Sequence, residues 1–155
     1  MLLKILLIIY LTKSYSIFPL IRKNLKNYSI IFLLFYFLLS LSPTTDADSL
    51  DYHIGMPLYL FIEQNLIIKD NWFHHMLFGY GEFLNFFGII FGSNIFGQYV
   101  NFFSLFSILL CLNLFQKKFN PKIDTSLFVL ATPLLVMLIY SSKTQLFPSL
   151  LFLIS

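Results

Sequence analysis

The sequence predicts an all-α, polytopic transmembrane protein whose first extracytoplasmic loop carries interfacial helices. Three observations lead there. First, 58% of the 155 residues are hydrophobic and 19% aromatic, only 11% are charged, and the mean hydropathy is +0.81. A soluble domain carries about 25% charged residues, so this chain could not cover a globule of its own size with polar surface, and a soluble enzyme is excluded. Second, the length suits several crossings. With a rise of about 1.5 Å per helical residue and a hydrocarbon core of about 30 Å, one crossing needs about 20 residues, which leaves room for about four crossings plus loops. Third, the charges are segregated. Lys13, Arg22, Lys23 and Lys26 precede the first long apolar run, and Lys117, Lys118 and Lys122 form a second basic cluster. Asp46, Asp48, Asp51, Glu63, Asp70 and Glu82 share one interval whose only cation is Lys69. Basic clusters beside spans stay cytoplasmic, so the acidic interval is expected on the extracytoplasmic face of a bacterial inner membrane.

The elements follow in chain order. Residues 1–11 are apolar around Lys4 but too few to span, and no A-x-A-like site follows to make them a cleaved signal. Residues 28–42 form the first span, entered from the basic side and ended by Ser42-Pro43. Residues 43–94 form the extracytoplasmic loop. In it Pro57 can start a helix, because its missing N–H would be unpaired in a first turn anyway. Leu58, Phe61 and Ile62 then share one face opposite Glu63 and Gln64, the pattern of a helix lying on the membrane. The run 76–91 is apolar but holds Glu82, Asn85 and three glycines. Reading it as interfacial leaves Lys117, Lys118 and Lys122 cytoplasmic after a span over 95–115, and it avoids a carboxylate at mid-membrane. Residues 124–141 cross back, with Pro133 a tolerated kink. Residues 141–145 make a second outer loop, and 146–155 begin a span that ten residues cannot complete.

The chemistry concentrates at Asp46, Asp48, Asp51, Tyr52 and His53. Three carboxylates within six residues repel one another, and a metal, a cationic substrate or a general-base role would explain the cost; a solvated acidic loop is the plain alternative. A calcium loop does not fit, since Asp51 and Pro57 stand where Gly and Glu belong. His74-His75 after Trp72 lack further ligands at zinc spacing and suit a membrane interface. The sequon at Asn27 lies on the cytoplasmic side. Cys111 is alone inside an apolar run. The cations flank spans and form no basic, aromatic-interleaved face, so nucleic acid is excluded as a partner.

In this order the features resemble the first part of a GT-C class membrane glycosyltransferase, in the group of the protein O-mannosyltransferase and aminoarabinose-transferase families. The resemblance spans about residues 28–155 and is carried by Pro43 followed by DADSLDYHIGMP, similar to the family's Asp, three residues, Tyr-His and a nearby Pro. It continues in GYGEFL, in the basic exit LFQKK, and in ATPLLVMLIYSSKTQ, similar to a third span and second outer loop. It implies sugar transfer from a polyprenyl-phosphate-linked donor on the extracytoplasmic face. Asp48 would be the catalytic base, with Asp46 the acidic position before it. Tyr52, His53, Glu82 and Lys143 would contact substrate or phosphate, and Asp46 with His53 could hold a divalent cation. The second outer loop departs from the family in having no Asp. Family members are much longer, so the chain is expected to be an N-terminal portion, inactive in isolation, whose missing spans come from downstream chain. Membrane lipid and the donor are the expected partners. A non-catalytic membrane protein or a transporter component is the competing reading, and it predicts polar residues continuing through the spans. Residues 95–115 contain only uncharged Gln98, Asn101, Asn113 and small hydroxyls.

Overall fold

The computed structural model describes residues 28–64, 79–119 and 125–155, and among them every regular element is helical. Residues 1–11, the Asn27 sequon, Trp72 and His74-His75 lie outside the described residues. Helix α1 spans Tyr28–Ser40. A π-helical turn over Ser49–Ile54 runs directly into α2, Gly55–Glu63, and α3 is Tyr80–Ile90. Then come α4, Phe96–Phe119, and the shorter α5, Thr125–Leu130, α6, Pro133–Tyr140, and α7, Leu146–Ile154.

Length separates these helices. The 24 residues of α4 reach about 36 Å, and its stretch Phe96–Gln116 has a mean hydropathy of 1.6. Among the described residues it is the one helix long and apolar enough to cross a bilayer. The 11 residues of α3 reach about 17 Å, well short of a hydrocarbon core. Its end is built into the sequence. Gly92 takes φ +75, its N–H donates to the Ile89 carbonyl at 2.9 Å, and the Ser93 N–H donates to that of Gly88 at 2.8 Å. This is the Schellman arrangement, which satisfies the last carbonyls and turns the chain.

Two expectations change. The acidic run is not a loop ahead of a helix beginning at Pro57; helix begins inside it, and Pro57 is the third residue of α2. The expected single helix over 124–141 is two, because Thr132 sits in extended geometry (φ −74, ψ 116) before Pro133. Proline disfavours helical geometry in the residue before it but suits the first turn of a new helix. The break frees carbonyls at the end of α5, and the buried Tyr36 hydroxyl of α1 donates to that of Leu130 at 2.7 Å.

The apolar core joins Tyr36 of α1, Leu105 and Leu109 of α4, Leu130 of α5, Leu135 and Ile139 of α6 and Leu146 of α7. Among the described residues, buried polar side chains nevertheless outnumber buried apolar ones, while Ile30, Leu34, Leu114, Met137 and Phe152 stand more than half exposed. Apolar side chains outside and polar ones inside reverse the soluble pattern and suit a chain whose surroundings are themselves apolar.

Candidate functional site

The polar interior lies at the N-terminal end of α4. Helix α6 stops at Tyr140, and its last carbonyls have no helical partner. Two amides of α4 satisfy those of Leu138 and Tyr140. Gln98 Nε2 donates to the Tyr140 carbonyl at 2.5 Å and to Thr44 Oγ1 at 3.0 Å. Asn101, three residues on and so on the same face of α4, donates to the carbonyls of Leu138 at 2.7 Å and Lys143 at 2.6 Å, and its Oδ1 accepts the Leu146 N–H at 3.3 Å. Asn85 of α3 donates to the carbonyls of Ser142 and His53, both at 2.9 Å. The His53 carbonyl needs such a donor because Pro57, four residues later, has no N–H to give it.

These amides fix the segment 141–145 against the acidic run. The Ser142 N–H donates to Ser49 Oγ at 3.1 Å, and the Ser142 hydroxyl meets Thr44 Oγ1 at 3.1 Å. Gly97 makes the approach possible, since a Cβ there would stand 2.8 Å from the Ser142 carbonyl oxygen and against the Asn85 amide. Held in this way, Lys143 directs its ammonium onto Asp48 Oδ2 as an ion pair, with Lys143 28% and Asp48 50% exposed.

A second pair sits beside it. His53 Nδ1 lies 2.7 Å from Glu82 Oε1, and Glu82 Oε2 accepts the Gly79 N–H at 2.8 Å, so α3 caps its own first turn with the same carboxylate. Burial pushes the Glu82 carboxyl up, but the bonds from His53, its own backbone N–H and Gly79 outweigh that and hold it below the usual glutamate value. The Tyr52 ring lies 4.4 Å from that of His53. Burial first, then the negative charge of Glu82 and of Asp48, raise the Tyr52 phenol above its ordinary value. The π-helical turn explains the spacing, because i→i+5 bonding brings residues five apart, such as Asp48 and His53, a turn above one another.

The pattern of the DUF1420 N-terminal domain matches residues 3–151. The chain belongs to this family. No curated protein and no solved structure matches it.

In this DUF1420 N-terminal domain, Asp48 and Lys143 meet, His53 and Glu82 meet, and Tyr52 lies within the influence of both acids. Asp46 is placed differently. Its Oδ1 accepts the Ser49 N–H at 3.2 Å, and its Oδ2 is buried with no hydrogen-bond partner among the described residues. The expected metal pair, Asp46 with His53, has no third ligand among the described residues. Among the described residues no three His, Cys, Asp or Glu side chains could hold a metal ion, and the imidazole Nδ1 is committed to Glu82. Among the described residues no donor set fits a resident divalent cation. Sequence reasoning passed over Gln98, Asn101 and Asn85 as mere polar interruptions. Their signal was two amides at i and i+3 opening an apolar helix, a costly placement unless they have partners.

Next to the polar site, an apolar cavity of about 540 Å³ opens between α1, α4 and α7, lined by Phe37, Leu41, Phe96, Tyr99, Phe103 and Phe147 among others.

Proposed function

We propose that this domain is the catalytic-loop end of a polytopic membrane glycosyltransferase that takes sugar from a polyprenyl-phosphate-linked donor on the extracytoplasmic face. The observation that carries this reading is the meeting of Lys143, from the second outer loop, with Asp48, from the first. A carboxylate and an ammonium are the groups such a transfer needs, and they stand at one end of a bilayer-length helix beside an apolar cavity. An isoprenoid chain partitions into lipid and suits that cavity, so the donor needs no nucleotide-binding domain. Asp48 takes the proton of the acceptor hydroxyl as its oxygen bonds to the anomeric carbon. The bond from that carbon to the phosphate oxygen breaks with its electron pair on the phosphate, and Lys143 swings from Asp48 to meet the charge. The family's description as an N-terminal domain fits a chain whose acceptor groove is completed by downstream spans. A polytopic arrangement with α1, α4 and the α5–α6 pair crossing the bilayer agrees with the apolar exterior.

The test is sugar transfer from polyprenyl-phosphate donors by the full-length protein in proteoliposomes. Asp48→Asn is expected to lower the rate by about a hundredfold or more, the usual worth of a positioned base. Full rate in that variant removes Asp48 from the base role.

A further inference from the structure

His53 is held more firmly than a ring that merely lines a site. Glu82 is kept ionised by bonds to both of its oxygens, and a carboxylate only accepts, so the proton of the short contact sits on His53 Nδ1. Asn85 grips the residue's carbonyl, and the ring lies against Tyr52 with its side chain 14% exposed. The other ring nitrogen, Nε2, lies on the opposite side of the ring from that contact. A nitrogen oriented by a carboxylate on the far side of its ring is the arrangement that steadies positive charge on imidazole when Nε2 carries a proton.

We infer that His53 and Glu82 form a dyad whose Nε2–H receives the phosphate of a polyprenyl phosphate, His53 touching the leaving group and Glu82 acting as its positioning residue. The inference rests on the transfer reading and assigns a second group to it. As the anomeric carbon to oxygen bond breaks, the phosphodiester with one negative charge becomes a monoester that gains a second. Asp48 has collected the acceptor proton, and the new charge falls to Lys143 and to Nε2–H of His53, whose proton is shared with or passed to the phosphate oxygen. The developing charge is thus shared between groups from the two loops that Asn85 and Asn101 hold together.

The test measures binding of farnesyl phosphate, and of farnesol as its uncharged counterpart, to the full-length protein in lipid nanodiscs. His53→Asn and His53→Gln separate roles, because the Asn amide overlays Nδ1 and retains the bond to Glu82, whereas the Gln amide reaches the place of Nε2. Farnesyl phosphate affinity is expected to fall by about tenfold to a hundredfold in His53→Asn, the worth of a charge-assisted hydrogen bond, and by less in His53→Gln, with farnesol binding equal in all three. Glu82→Gln is expected to lower turnover while leaving KM near that of the unaltered protein. Unchanged farnesyl phosphate binding in His53→Asn overturns the proposal, as does inorganic phosphate competing as well as the lipid. Binding that depends on His53 without any sugar transfer would sink the transfer reading and keep the dyad. Undiminished transfer in His53→Asn would do the opposite.

Discussion

At the scale of single residues, Glu82 links chemistry to folding. Its carboxylate serves His53, caps α3 through Gly79 and influences the Tyr52 phenol, and its folded pKa is depressed. A depressed value means that the ionised form stabilises the fold. That contribution is fully present above the unfolded glutamate value of about 4.3 and is lost as pH falls through the lower folded value. Thermal unfolding of the protein and of Glu82→Gln should therefore differ at pH 7, with the gap closing below about pH 4. A gap of constant size across that range would show that the carboxylate's charge contributes nothing. The sequence marked Glu82 as costly by its place in an apolar run, and it marked Asp48, Tyr52, His53 and Lys143 by type and spacing. It could not show which of them pair, because contacts across 29 residues for His53 and Glu82 depend on how α3 packs against the π-helical turn.

At the scale of elements, residues 141–145 are a short irregular segment made rigid by its neighbours. Asn101 and Asn85 turn freed carbonyls into anchors, and glycines let the backbones close. The two glycines nearest the loop predict different outcomes. A Cβ at Gly97 would press on the Ser142 backbone carbonyl, which cannot rotate away, whereas at Gly81 it would stand 2.6 Å from Thr144 Oγ1, the movable end of a side chain. Gly97→Ala is expected to destabilise by about 1–3 kcal/mol, the usual cost of overpacking, and to lower transfer by misplacing Lys143. Gly81→Ala should cost much less. Comparing their unfolding midpoints in detergent checks the pair, and equal losses would mean that loop closure is not limited by the Gly97 contact. The apolar runs made α4 legible in the sequence, but not the split between α5 and α6 or the π-helical turn. Proline permits either a kink or a break, and here the freed Leu130 carbonyl finds the Tyr36 hydroxyl, which makes the break tolerable in an apolar setting.

At the scale of the whole molecule, charge placement and helix length must agree on one topology. Helix α3 is too short to cross and turns at Gly92, and the hydrogen bonds from Asn85 to the His53 and Ser142 carbonyls hold the acidic π-helical turn and the segment 141–145 at the end of α4 that begins at Phe96. In the proposed arrangement α4 crosses once, and its basic end at Lys118 would then reach the opposite side, which the placement of positive charge assigns to the cytoplasm. Two cysteine variants test this in intact cells. Asp51→Cys, in the π-helical turn, should react with a membrane-impermeant thiol reagent, and Asn120→Cys, just beyond α4, should react only after the membrane is opened. Cys111 serves as the internal control, because it lies deep in α4 and only partly exposed. The reverse labelling pattern would put the acidic turn in the cytoplasm, away from the face where a polyprenyl-linked sugar is presented, and the proposed transfer would fall with it.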